Sequence, residues 1–192
     1  MTGRLAPIPY DDWDFEALAE ISPGLKPPPL NVVALFAHHP ELARKFLSWN
    51  RYVNGSSSTL PRRTRELAIL RVAWRHRSKY EWAQHLTIAR RAGVSADEVD
   101  QVRGAAPATG LAALMITAVD ELTGGATLSE KTYEALAGEL GERQLLDLVF
   151  LVGTYALLSA AFNAFQLELD PGLTADHFDT GDFNQEPSQK GT

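Results

Sequence analysis

Leu60-Pro61-Arg62-Arg63-Thr64-Arg65-Glu66-Leu67-Ala68-Ile69-Leu70-Arg71-Val72-Ala73 is the stretch whose reading decides the fold. Pro61 suits the first turn of a helix, where its missing N–H leaves no intrahelical bond unmade, and the helix runs to about Arg77. Leu67, Ile69, Leu70, Ala73 and Trp74 recur with the helical period. Glu66 stands four residues before Leu70 and seven before Ala73, so it shares their stripe and points inward. A carboxylate on an inward stripe demands a partner.

Helical signals continue in both directions. A second helix is expected over about Lys79 to Ala92, ending at Gly93, where a left-handed cap carries no steric strain. Ser95-Ala96-Asp97-Glu98 is a capping box flanked by the hydrophobic staple of Val94 and Val99. Further helices are expected at about Gly110 to Leu122, Ser129 to Leu140, with Ser129 as N-cap, and Glu142 to Gln166. Upstream, Pro40 opens a helix through about Tyr52, with Leu42, Phe46 and Trp49 read as a core stripe. Residues 1–30 read as an N-terminal arm with a short helical turn around Phe15 to Glu20, closed by Pro23-Gly24 and Pro27-Pro28-Pro29. No stretch alternates apolar and polar residues as a half-buried strand does. The expectation is one all-α antiparallel bundle over residues 31–172, followed by a polar C-terminal tail at 173–192.

Composition narrows the function. A formal charge of -6 argues against nucleic acid or an anionic membrane as a partner, since both attract clustered positive charge. The basic runs Arg62-Arg63-Thr64-Arg65 and Arg75-His76-Arg77 read as solvated helix faces. There is no cysteine, so disulfides, thiolate nucleophiles and thiolate metal sites are excluded together. The first residues carry no basic leader or apolar run, which sets a cytoplasmic location as the expectation. Leu148 to Leu167 holds no charge and is long enough to span a membrane, but Thr154, Tyr155, Ser159, Asn163 and Gln166 fit a helix buried in the core or between subunits.

The chemistry-bearing stretch is Ser78-Lys79-Tyr80-Glu81-Trp82-Ala83-Gln84-His85. Glu81 and His85 lie one helical turn apart on one face, which Ile88 and Ala92 extend as an apolar face. A carboxylate beside an imidazole in such a setting holds one tautomer and raises its basicity, as general acid/base catalysis requires. If Glu66 reaches the same spot, two carboxylates disfavour double ionisation and one keeps a proton at neutral pH. Spacing alone is met far more often by an ordinary helix salt bridge. The same three groups could in principle ligate a metal, but they satisfy one another without one, and His38-His39 before Pro40 reads as helix-flanking.

The segment Leu60 to Ala73, then Tyr80-Glu81-Trp82-Ala83-Gln84-His85, then Ala89 to Gly93 with its capping box, resembles the core of the carboxymuconolactone decarboxylase family, which also contains the alkylhydroperoxidase D proteins. The likeness extends through Asp120-Glu121-Leu122, Leu145 to Phe150 and Gly153-Thr154-Tyr155 to Asp170-Pro171-Gly172. It implies an alkylhydroperoxidase D-like helical bundle that assembles as a homo-oligomer, a trimer or hexamer, with a pocket near subunit contacts. In the peroxidase branch a glutamate, two cysteines and a histidine relay protons to a redox dithiol. The matching positions here are Glu66, Ser78, Glu81 and His85, so thiol redox is closed. The resemblance thus implies a lyase or isomerase that needs no cofactor and moves protons on a small unsaturated acid or lactone. In it Glu66, Glu81 and His85 are catalytic, His85 the proton donor, Glu81 its orienting partner and Glu66 a second proton-holding group, and Tyr80, Trp82 and Ser78 bind substrate. A noncatalytic member that binds a small ligand or acts as a scaffold is the competing reading.

Overall fold

The computed structural model describes residues 3–104, 106–176 and 178. Eight helices follow in order: α1 (Asn31–Ala37), α2 (Pro40–Asn54), α3 (Arg62–Arg75), α4 (Lys79–Arg91), α5 (Ala96–Arg103), α6 (Gly110–Gly125), α7 (Glu130–Glu139) and α8 (Glu142–Phe165). Among the described residues there is no strand, as the sequence periodicity predicts.

The boundaries follow from local chemistry. Ser95 accepts from the Glu98 N–H at 3.2 Å while the Glu98 carboxylate accepts from the Ser95 N–H at 3.0 Å, so both halves of the predicted capping box form. Ser129 caps α7 by accepting from the Thr132 N–H. His39 caps α2, its Nδ1 accepting from the Leu42 N–H at 3.3 Å, with Pro40 in the first turn. Helix α3 stops at Arg75, two residues before the expected end, because Arg77 takes a left-handed φ of 54° that turns the chain into α4. The expected turn around Phe15 is a run of turns held by Asp14, whose side chain accepts from the Ala17 N–H, and a 3-10 turn covers Tyr10–Asp12.

Helix α3 is the axis of the bundle, packed by α4, α5, α6 and α8. Ten of its fourteen residues are buried, among them the polar Thr64, Arg65 and Glu66. The main core joins Leu67, Ile69 and Leu70 of α3 with Met115 and Val119 of α6 and Leu148, Leu151 and Leu158 of α8. Arg71 locks α6 and the end of α5 to this axis through two bonds to Asp120, at 2.6 and 2.8 Å, and one to the Val102 carbonyl.

The N-terminal arm brings its own hydrophobic cluster, in which Trp13 and Leu18 pack on Val33, Ala37, Ala43 and Leu47 of α1 and α2. The α1 N-terminus is fixed by Asp170, whose Oδ1 accepts from the Asn31 N–H at 2.6 Å. At the other end Phe178 is buried against Trp74 and Trp82. The rest of the polar stretch from 179, and His177, lie outside the described residues.

One expectation about a face changes. Leu42 and Trp49 of α2 are not core: they are 51% and 37% exposed, and the buried side of α2 carries Ala43, Leu47 and Val53. Helix α8, long and apolar enough to cross a membrane, packs one side into the core through Leu148, Leu151, Tyr155, Leu158 and Phe162. Its opposite side leaves Leu146, Phe150 and Leu157 more than half exposed.

Candidate active site

The turn at His76 to Ser78 folds α4 back along α3. Glu66 lies ten residues before His76 and His85 nine after it, so an antiparallel pair brings them level. His85 Nδ1 and Glu66 Oε2 are 2.8 Å apart, a hydrogen bond between groups that are 9% and 4% exposed. Glu81 Oε2 approaches the other ring nitrogen, Nε2, at 3.5 Å, beyond ordinary hydrogen-bond length. The imidazole is therefore clasped from both sides. The close partner is Glu66 from the neighbouring helix rather than Glu81 from its own, as the one-turn spacing had suggested. The interhelical reach wins because α3 and α4 pack side by side, whereas a side chain one turn away on the same helix runs alongside the ring rather than end-on.

Electrostatics follow from this clasp. Burial pushes the Glu81 carboxyl up to about 7; the nearby Glu66 charge adds to the rise and His85 opposes it. Glu81 Oε1 is buried and, among the described residues, has no hydrogen-bond partner, which leaves little to stabilise its anion. Burial alone would lower the His85 imidazole, but the Glu66 hydrogen bond and the two carboxylate charges outweigh it, and the net shift is upward. Tyr155 of α8 stands edge-on to His85 with ring centroids 4.9 Å apart, and its hydroxyl donates to Asn54 Oδ1 at 2.7 Å. Burial and the Glu81 and Glu66 charges hold its phenol far above 10, so it remains a neutral donor. Among the described residues no group of three or more His, Cys, Asp or Glu side chains has metal-holding geometry.

These groups open on a cavity of about 660 Å³. Its floor is Glu66, Glu81, His85 and Tyr155; its walls come from Leu30, Val32, Val33 and Phe36 of the arm and α1, and from Leu47, Asn50 and Asn54 of α2. Arg65 and Gln84 also line it.

Of the residues expected to touch substrate, Tyr80 lines the cavity, its hydroxyl donating to Asp170 Oδ2 at 2.5 Å. Gln84 Nε2 donates to the same oxygen at 2.7 Å. Trp82 and Ser78 do not line it. Trp82 is fully buried against Trp74 and Phe178, its Nε1 bonded to the Asp176 carbonyl. Ser78 is fully buried at the α4 N-terminus. The helical period explains the Trp82 difference: Glu81, Gln84, His85 and Ile88 form the cavity stripe, and Trp82 lies about 100° round the helix from Glu81. Sequence reasoning placed none of Tyr155, Asn54 and Arg65 in the site: Arg65, read as part of a solvated helix face, is only 7% exposed, and Tyr155 was read only as a polar residue of a buried helix.

The helical bundle has an alkylhydroperoxidase D-like fold. It superposes on an uncharacterized peroxidase-related protein from Ralstonia eutropha JMP134, described as an alkylhydroperoxidase AhpD core. The TM-score is 0.74 and the identity 16%, over 89% of this chain and 94% of that one. An uncharacterized peroxidase-related protein from Silicibacter sp. TM1040 gives a TM-score of 0.69, 16% identity and coverage of 91% and 92%. Residues 40–124, which hold Glu66, Glu81 and His85, match the carboxymuconolactone decarboxylase family. No curated protein sequence matches.

Proposed function

We propose that this cavity carries out proton-transfer chemistry, as a cofactor-independent lyase or isomerase acting on a small unsaturated acid or lactone. The observation that carries this reading is the buried imidazole clasped by two carboxylates at the floor of an open cavity. Glu66 fixes the ring through Nδ1, leaving Nε2 to exchange a proton with Glu81 or with substrate. Glu81, which titrates near 7, holds a proton over part of the neutral range and can release it. This reverses the roles first assigned to the two carboxylates: Glu66 orients and Glu81 stores the proton.

In a decarboxylation the bond to the leaving carboxylate breaks, and its electron pair passes into a conjugated carbonyl. Carbon dioxide departs and the His85–Glu81 pair returns one proton to carbon. The Tyr155 phenol, kept neutral, serves the developing oxyanion by turning its single O–H away from Asn54 Oδ1. Isomerisation uses the same proton moves without carbon–carbon cleavage. Reduction of peroxide through a dithiol is closed to this chain because it has no cysteine. The unfilled cavity favours a small-molecule function over a scaffold, which has no use for such a space.

The test is a screen of γ-carboxymuconolactone and related unsaturated acids for carbon dioxide release and solvent deuterium incorporation. His85→Ala and Glu66→Gln should each lower turnover about a hundredfold or more. Undiminished turnover in both would remove this mechanism.

A further inference from the structure

Arg65 is a cation that the acid/base chemistry does not use. It lies one residue before Glu66 on α3, is only 7% exposed, and lines the cavity. A guanidinium never deprotonates, so its charge persists there at every working pH. Its one side-chain hydrogen bond among the described residues runs from Nη1 to the Gly55 carbonyl at 2.8 Å, and no carboxylate pairs with it. The carboxylates nearby are committed elsewhere. Glu66 bonds His85, Glu81 faces the other side of the same ring, and Glu20 pairs with Arg51 at 2.9 Å. Adjacent residues on a helix do not face each other, which keeps Glu66 from turning back to Arg65. A buried charge with a single neutral acceptor is unfavourable unless an anion completes it.

We propose that Arg65 anchors the carboxylate of the substrate, presenting its remaining guanidinium N–H groups to the cavity. The inference builds on the acid/base reading of the same site and names what that site selects. Arg65, Tyr155 and His85 line the same cavity, and Tyr155 stands edge-on to His85. A carboxylate held by Arg65 therefore lays the rest of a small molecule across Tyr155 toward the imidazole. Val33, Phe36, Leu47 and Leu158 give the skeleton of that molecule an apolar wall. The ligand class is a small carboxylate with an apolar or unsaturated carbon frame.

The probes are cis,cis-muconate and its neutral dimethyl ester, titrated calorimetrically at pH 7 into the full chain. In the unmutated protein the acid should bind at least tenfold more tightly than the ester. Arg65→Gln should weaken muconate about a hundredfold and leave the ester unchanged, with Arg65→Lys in between. Acid and ester weakening in parallel would instead assign Arg65 to holding the Gly55 loop. That result overturns the proposal, as does unchanged muconate affinity in Arg65→Gln, or no saturable muconate binding by the unmutated protein. These titrations read binding without turnover, so they fail or succeed independently of the His85→Ala test.

Discussion

Replacing Glu81 by Gln should make the protein more stable at pH 8 while impairing its chemistry. Glu81 is fully enclosed, its carboxyl rises from the 4.5 of an unburied glutamate to about 7, and Oε1 has no partner among the described residues. Between these two values the folded protein binds a proton that the unfolded chain has released. Stability therefore falls as pH rises through this window. Once Glu81 is ionised in both states, the accumulated penalty is about 3 kcal/mol. His85 acts with the same sign: its raised value gives stability that is full below 6.5 and lost as pH climbs through the folded value. Glutamine keeps the shape of Glu81 and removes its titration. Urea unfolding at pH 5, 6.5 and 8 should show the unmutated protein weakening across the series. Glu81→Gln should retain only the shallower His85 slope and gain up to about 3 kcal/mol at pH 8. Parallel pH profiles for the two proteins, or a variant less stable at pH 8, would refute the account of Glu81 as a carboxylate strained by burial.

Three further outcomes follow from other contacts. Asp147 accepts from the Thr59 N–H at 2.6 Å and from the Thr59 and Tyr52 hydroxyls, seating the α2–α3 loop on α8; Asp147→Ala should lower stability by about 1–3 kcal/mol in a denaturant titration. Ser95→Ala removes half of the α5 capping box and should cost about 1 kcal/mol, measured the same way. Leu146, Phe150 and Leu157 on the outer side of α8, with Trp49 edge-on to Phe150 at 5.7 Å, form an apolar surface suited to a second copy of the chain. Phe150→Glu should shift sedimentation toward smaller species, and an unmutated protein that sediments only as monomer would end that reading.

Much of the fold was legible because its signals are local. Pro61, Gly93, the Ser95–Glu98 box and Ser129 act through one or two hydrogen bonds within a few residues, and each falls where the chain placed it. The inward reading of Glu66 was equally local, since its stripe is set by Leu70 and Ala73. What stayed hidden depends on packing between elements. Helix α1 has seven residues, too few to display a period. On α2 the inward side includes Asn50 and Asn54, which line the cavity, so the more apolar stripe through Trp49 misled. Which carboxylate closes on His85 was a matter of the distance between α3 and α4, a quantity that no spacing along either helix encodes.

One wall of the cavity comes from outside the matched segment. Glu66, Glu81 and His85 sit inside the family segment at 40–124, while Ile21, Leu30, Val32, Val33 and Phe36 come from the stretch before it. That stretch is tied to the bundle by its own cluster around Trp13 and by the Asn31–Asp170 bond. Substitutions in the leading residues would therefore reshape that wall and leave Glu66, Glu81 and His85 in place.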